Sequence, residues 1–261
     1  MTFPNSKVIP EAHMVISSLV FNPPVIAHRG NCAEAPENTL ASLMLARAQN
    51  APWVECDVKI TSDGVPILMH DDTLDRTTDG HGKVADAMWA EVKTLDAGGW
   101  FNPRFRGERV PHLTEALRLV LDSGMRLNLE LKPCPGRAKA TTMVALIEAS
   151  KWWAPEHAPP LLSSFSEDAL MSAMQLQPQW PRSFAFDKMD QDWRGAAERI
   201  EAQALTVDEG ILNRETLRSL KQTNLPILAY TVNDPARAKE LINAGVSAVF
   251  SNNPHALIKV L

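Results

Sequence analysis

From residue 25 to the end of the chain, short apolar runs of strand length alternate with amphipathic helical runs, and this order leaves few folds open. The strand-like runs are Val25–His28, Trp53–Val58, Leu127–Leu131, Leu161–Phe165, Ser183–Phe186, Ala204–Val207, Ile227–Thr231 and Ala248–Phe250. Helical patterns lie between them near 37–50, 113–123, 137–153, 167–177, 192–203, 213–223 and 235–244, with a last one after Pro254. Several carry start signals: Glu37-Asn38-Thr39, Ser166, Asn213 and Asn233-Asp234-Pro235. Repeated strand-then-helix order implies a parallel sheet, because each helix returns the chain to run in the same direction. Eight such units close into a (β/α)8 barrel; a doubly wound open sheet is the competing architecture, and the barrel is preferred.

Two features interrupt the alternation. Asp63-Gly64, between Glu55–Thr61 and Val65–His70, is a hairpin signal that projects His70 beyond the second strand. Residues 73–112 are turn-rich, with Gly80, Gly82, Gly98, Gly99, Pro103 and Gly107, and too long for a plain strand-to-helix loop. They are expected to form an excursion over the barrel mouth. The expected organisation is an N-terminal extension (1–24) and a barrel (25–261) that includes the 73–112 insertion.

The 261 residues suffice for one large α/β domain, and the formal net charge of -5 argues against nucleic acid as the main partner. The three cysteines, Cys32, Cys56 and Cys134, are odd in number and unclustered, so a disulfide framework or thiolate metal site is not expected. The N-terminal run Met14–Phe21 is short and broken by two serines, and lacks a basic leader region. No stretch approaches the roughly 20 apolar residues that span a bilayer. A cytoplasmic protein without an integral membrane segment is expected.

Strands of a parallel barrel are buried on both faces and should be almost wholly apolar. Here the first run ends in His28-Arg29-Gly30, the second carries Glu55-Cys56-Asp57, and the third ends in Glu130-Leu131-Lys132. All lie toward C-terminal strand ends, the face on which barrel active sites are built. Residues two apart share a face, so Glu55 pairs with Asp57 and Glu130 with Lys132. Buried carboxylates on neighbouring strands repel unless a cation lies between them, and an all-oxygen set suits Mg²⁺ or Ca²⁺ better than zinc. The bland alternative is a structural network of Glu55, Asp57 and Glu130 with Lys132 and Arg29. His28 and His70 add groups that titrate near neutral pH and can move protons, while Arg29 and Lys132 can neutralise an anionic group. Asp71 either orients His70 or forms a solvated turn with Asp72. Asn38 either caps the first helix or contacts the site.

The ordered set His28-Arg29-Gly30, Pro36-Glu37-Asn38-Thr39, Glu55-Cys56-Asp57-Val58 with Thr61-x-Asp63-Gly64 and His70-Asp71, Arg76-Thr77-Thr78, Glu130-Leu131-Lys132, Ser163-Ser164-Phe165 and Thr231-Val232-Asn233 resembles the glycerophosphodiester phosphodiesterase family. The resemblance runs from residue 25 to about 254. It implies hydrolysis of a small glycerophosphodiester to sn-glycerol 3-phosphate and an alcohol. By the same resemblance, His28 and His70 are the general acid and base, and Glu55, Asp57 and Glu130 the ligands of a divalent cation. Arg29 and Lys132 would contact phosphate and Glu37 would be an active-site carboxylate; Phe165 and Tyr230 would shape the substrate pocket. The chain departs from the family pattern twice: Tyr230 stands where many relatives carry Trp, and Ser251-Asn252-Asn253-Pro254 where they often read Thr-Asp before a proline. Neither departure is expected to touch the metal ligands or the histidines. A lysophospholipid-cleaving relative would need an apolar rim, for which Met88, Trp89, Trp100, Phe101 and Phe105 are candidates. A barrel that binds but does not catalyse is disfavoured, since both histidines and all three carboxylates are present.

Overall fold

A computed structural model of the chain describes residues 19–154, 157–189 and 192–261. The expectations that fall on residues 1–18, an extension without a leader, lie outside them. Strands β1 (Val25–Ala27), β2 (Trp53–Ile60), β4 (Arg126–Leu131), β5 (Leu161–Ser164), β6 (Arg182–Phe186), β7 (Ala204–Asp208), β8 (Ile227–Tyr230) and β9 (Ala248–Ser251) are parallel neighbours in that order. Because β1 pairs with both β2 and β9, the sheet closes and the open-sheet alternative is excluded. The fold is the expected (β/α)8 barrel, with one extra strand, β3 (Pro66–Leu68), antiparallel to β2.

Helices α1 (Leu40–Ala48), α3 (Leu113–Ser123), α4 (Ala138–Trp152), α5 (Glu167–Leu176), α6 (Trp193–Arg199), α7 (Arg214–Lys221), α8 (Pro235–Asn243) and α9 (Pro254–Ile258) form the outer layer. A one-turn helix, α2 (Trp89–Val92), lies in the insertion. Ser166, Asn213 and Asp234 each cap a helix by accepting from a first-turn N–H, which is why these starts were legible. Two ends differ from expectation. The first helix begins at Leu40, not 37, because Asn38 is left-handed (φ 55°) and Thr39 is the cap, accepting from Ser42 N–H at 3.3 Å. The sixth stops at Arg199, short of 203, where Glu201 turns left-handed (φ 49°).

Along β2, alternate residues face opposite ways. Val54, Cys56 and Val58 join the core between sheet and helices, with Leu43, Leu117 and Leu146. Trp53, facing inward, packs with Ile26, Leu161, Ala204, Leu228 and Ala248 in an apolar barrel floor. The segment before β1 closes that floor from below: Phe21 lies 4.8 Å from the Trp53 ring, and Trp53 Nε1 donates to the Val20 carbonyl at 2.9 Å. Polar inward residues are found above it and pair with one another: Asn128 donates to Ser163 and Ser183 pairs with Thr206, both at 2.7 Å. The floor thus supplies the apolar burial, and the upper barrel is left to polar chemistry.

The Asp63-Gly64 turn forms as expected, with Gly64 at φ 79° and Val58–Ile60 of β2 paired to Pro66–Leu68 of β3. Val58 pairs with β4 on one edge and β3 on the other, so β3 occupies the edge that β1 leaves free above Val54. The 73–112 excursion is not a cover over the mouth. It has its own core, in which Leu74, Val84, Val92, Ala97 and Val110 pack on Ile67 and Met69. It stands beside β2 and α1, where Arg104 donates to the Glu34 carbonyl at 2.7 Å and Glu108 accepts from Ala41 N–H at 3.2 Å.

Where β1 runs into the loop before α1, Gly30 (φ 82°) is pressed on Ser42, and a Cβ there would fall 2.4–2.6 Å from Ser42 atoms. Gly124 is equally left-handed (φ 71°) but faces open space. Gly30→Ala should therefore cost about 1–3 kcal/mol beyond Gly124→Ala, since it adds overpacking to the same backbone penalty. Urea unfolding of the two variants measures the difference; equal losses would show that the close approach to α1 carries no weight.

Candidate active site

The three acids meet because of strand stagger. Ala27 is level with Val54, so His28 arrives at the height of Glu55, and Asp57 is in register with Glu130 on β4. One carboxylate oxygen from each of Glu55, Asp57 and Glu130 lies within 4.8 Å of the others. Two like charges at that distance repel by about 3–4 kcal/mol at an effective dielectric near 20. Burial, then the Asp57 and Glu130 carboxylates, push the Glu55 pKa well above the usual carboxylate range. Glu130 is raised too, by burial and then by Asp57. Burial opposes ionisation of Asp57 as well, but Arg29, Lys132 and the Asn38 amide outweigh it and hold its carboxyl well below the usual range.

The cations around the cluster are already committed. Arg29 Nη1 donates to Glu37 at 2.8 Å, and its Nε lies 3.3 Å from Asp57, within ion-pair range but out of line for a hydrogen bond. Lys132 Nζ lies 2.9 Å from Glu130 and 3.6 Å from Asp57. Glu55 accepts from Arg29 N–H at 2.8 Å through Oε2, while its buried Oε1 has no hydrogen-bond partner. An unpartnered carboxylate oxygen beside two other carboxylates is what a hard cation would satisfy, so the residues fit a divalent metal ion with oxygen preference. Asn38 is a site residue rather than a cap. It donates to Asp57 Oδ2 at 2.7 Å and accepts from Asp57 N–H at 3.0 Å.

Both histidines stand at the cluster's edge, each held through Nδ1. His70, carried back by β3, lies 2.6 Å from Asp71 Oδ1. Arg76 then holds Asp71 (2.6 and 2.9 Å) and Glu37 (2.7 and 2.8 Å) at once. Asp71 therefore orients His70, and Arg76, its hydrogen bonds foremost, keeps that carboxyl ionised. Arg76 is also the insertion's link to the mouth. His28 Nδ1 lies 2.7 Å from Asn252 Oδ1. That overturns the expectation that the Ser251-Asn252-Asn253 departure is remote from the histidines: barrel closure sets the end of β9 against the end of β1. Burial, then Arg29, lowers the His28 pKa to about 4, and burial also lowers that of His70.

Two clefts meet at the cluster. One, of about 440 Å³, lies within the mouth between His28, Arg29, Glu55, Asp208, Tyr230 and Phe250. The other, of about 600 Å³, runs outward past Lys59, Asp72, Pro133 and Ser166. His70, Glu130, Lys132 and Phe165 line both. Phe165 is 44% exposed and meets Tyr230 edge-on at 5.7 Å. Residues 73–112 line neither cleft, so Trp89, Trp100 and Phe101 form no rim to them. Lys59 was missed in the sequence. It is buried on the inward face of β2, two residues beyond Asp57, and paired with Asp72 at 2.6 Å.

A parallel barrel whose mouth gathers these groups falls, with the comparisons that follow, among the phosphoric diester hydrolases of the (β/α)8 class. More narrowly, the chain belongs to the glycerophosphoryl diester phosphodiesterase family, whose model matches residues 28–256. It is 35% identical over 254 residues to a glycerophosphodiester phosphodiesterase of Bacillus subtilis, covering 90% of this chain and 85% of that one. A second such enzyme, from Caldanaerobacter subterraneus subsp. tengcongensis, is 32% identical over 91% of this chain and 97% of its own. Among solved structures, an Oleispira antarctica phosphodiesterase in complex with the product sn-glycerol-3-phosphate superposes with a TM-score of 0.87 at 39% identity, covering 91% of this chain and 96% of that one.

The raised pKa values of Glu55 and Glu130 mean that, at these two groups, the metal-free fold holds protons more tightly than the unfolded chain does. Their stabilising contribution is present below the unfolded carboxylate pKa, about 4.3, and lost as pH rises through the raised values. With chelator at pH 7–8, Glu55→Gln should therefore melt higher than the unsubstituted chain by about 1–2 kcal/mol, roughly 2–8 °C. Added Mg²⁺ or Ca²⁺ should raise the melting temperature of the unsubstituted chain and leave Glu55→Gln unmoved. A metal-free Glu55→Gln chain that melts lower would show that the three acids are not in conflict.

Proposed function

We propose that this protein hydrolyses glycerophosphodiesters to sn-glycerol 3-phosphate and an alcohol, using His28 and His70 as acid and base and a divalent cation, Mg²⁺ or Ca²⁺, held by Glu55, Asp57 and Glu130. The observation that carries this reading is the unpartnered Glu55 oxygen in a three-carboxylate cluster, beside a cleft that His28 and His70 also line. The product complex of the Oleispira relative supports the choice of substrate. Bound at the three acids, the cation would supply charge neutralisation for the phosphate oxygens. Arg29 and Lys132 contact the same oxygens, Glu37 holds Arg29 in place, and Phe165 and Tyr230 guide the two arms of the diester into the two clefts. The catalytic unit is the barrel of residues 25–261 with its 73–112 insertion. Its partner is a small molecule rather than nucleic acid, as a net charge of -5 favours. Among the described residues no helix is long and apolar enough to cross a membrane. With Cys32, Cys56 and Cys134 unpaired, a cytoplasmic location is the reading we adopt.

The glycerol C2 hydroxyl lies beside the esterified carbon and can attack phosphorus within the substrate. Such an intramolecular nucleophile has a very large effective molarity, so one histidine need only accept its proton while the other protonates the departing alcohol. A cyclic 1,2-phosphate forms; the histidines then exchange roles as water opens the ring to sn-glycerol 3-phosphate. The low pKa of His28 keeps it neutral and fit to be the first base. The Asp71 carboxylate behind His70 opposes the effect of burial and helps that ring to carry the proton an acid gives.

His28→Ala and His70→Ala should each lower kcat on glycerophosphocholine by about 10²–10⁴-fold, and the double variant by far less than the product of the two. Near-normal turnover in either single variant removes that residue from the mechanism. A 2-deoxy glycerophosphodiester should bind yet turn over at least ~100-fold more slowly, because it lacks the internal nucleophile. Comparable turnover would mean direct attack by water.

A further inference from the structure

The two histidines are backed by different chemistry, and the difference lies in Asn252. Its backbone is held from two sides: its N–H donates to Asn233 Oδ1 at 2.8 Å, and its carbonyl accepts from Ala33 N–H at 2.9 Å. Neighbouring contacts brace the same turn. Ser251 Oγ donates to Asn233 Oδ1 and accepts from Asn253 N–H, each at 3.2 Å, and His28 N–H donates to the Ser251 carbonyl at 2.9 Å. The asparagine side chain is therefore placed by the scaffold before it meets the imidazole at 2.7 Å.

An amide oxygen can only accept, so the neutral ring beside it must carry its hydrogen on Nδ1, which leaves the lone pair on Nε2. His28 lines the cleft it shares with Glu55 and Glu130, and with Nδ1 engaged by Asn252 its Nε2 is the ring nitrogen left for chemistry there. With Asn252 Oδ1 facing the ring, the other tautomer would set two acceptors against each other across 2.7 Å, and could be accommodated only by turning the amide over to present its NH2. A neutral acceptor also orients the ring without drawing a second proton onto it, as a carboxylate would. At His70 the corresponding group is a carboxylate, Asp71, which shares Arg76 with Glu37 and raises that ring's affinity for a second proton.

We propose that Asn252 is the positioning residue of His28, locking it in the Nδ1–H tautomer so that the Nε2 lone pair is the one left free to accept a proton. The proposal rests on His28 as a proton-transfer group. Its test therefore includes a readout that needs no substrate.

In the ¹⁵N-histidine-labelled full-length chain near pH 7.5, the His28 signals, assigned by their loss in His28→Ala, should show a protonated-type Nδ1 and an unprotonated-type Nε2. Asn252→Leu, similar in volume but without an acceptor, should give a tautomer mixture. It should also lower kcat by about 10–100-fold, less than loss of the histidine itself, with KM within about twofold. Relative to Asn252→Leu, Asn252→Asp, which restores an acceptor oxygen, should return the hydrogen to Nδ1 and recover most of the lost kcat, while the His28 ring takes up a second proton at higher pH than in the unsubstituted chain. An Nε2–H tautomer in the unsubstituted chain overturns the proposal. So does an Asn252→Leu chain in which His28 keeps its tautomer or kcat is unchanged. Should Asn252→Leu not fold, the spectra of the unsubstituted and Asn252→Asp chains still decide it. A chain with the expected spectrum but no diesterase activity would instead overturn the functional reading.

Discussion

Three carboxylates held within 4.8 Å of one another at the mouth of a closed barrel are the constraint around which the rest of the site is arranged. No folded chain gathers such charges without compensation, since each like pair adds about 3–4 kcal/mol of repulsion at an effective dielectric near 20. The compensation is partial by construction. Arg29 and Lys132 lean on Asp57, so that this carboxylate alone is strongly held ionised, while Glu55 and Glu130 are left with raised pKa values. Had the surrounding cations neutralised all three acids, the cluster would be a closed salt-bridge network. The unpartnered Glu55 oxygen marks the difference.

Around this centre runs a chain of paired groups that reaches from the insertion to the first strand. Arg76 grips Glu37, Glu37 grips Arg29, and Arg29 reaches Asp57; the same Arg76 grips Asp71 behind His70. Arg29 and His70 are thus anchored to one guanidinium whose planar fork serves two carboxylates at once. The insertion's role follows from this geometry. It is a buttress that fixes the angle of site residues, and its aromatic side chains serve its own packing. Left-handed backbone at Arg29 and Asn38, with φ values of 53° and 55°, belongs to the same bracing, because the Arg29 carbonyl accepts from both Asn38 N–H and Ser42 Oγ.

Much of this was legible in the linear chain, for physical reasons that differ from residue to residue. Strand-helix alternation reports the barrel because burial on both faces leaves only short apolar strands, and any charged residue on them stands out. His28, Glu55, Asp57 and Glu130 were visible for that reason, and the caps Ser166, Asn213 and Asp234 because capping is a local interaction. Asn252, Arg76 and Lys59 were not assigned roles. Each acts through a partner far away in the chain, and a polar residue in a loop, or one past an apparent strand end, has no local pattern to distinguish it from a solvated one. The course of residues 73–112 was misjudged likewise: their turn-rich composition reports an excursion but not which side of the barrel it packs against.

By itself, then, the sequence determined the fold class, the level of the barrel at which charge accumulates, and the residue types available there, since these depend on periodicity and on interactions between near neighbours. Only the tertiary structure decided which acids share one point, which cations are spent on them, and which oxygen is left without a partner. Those outcomes depend on strand stagger and barrel closure. Closure brings β9 beside β1 and sets Asn252 against His28, 224 residues away in the chain.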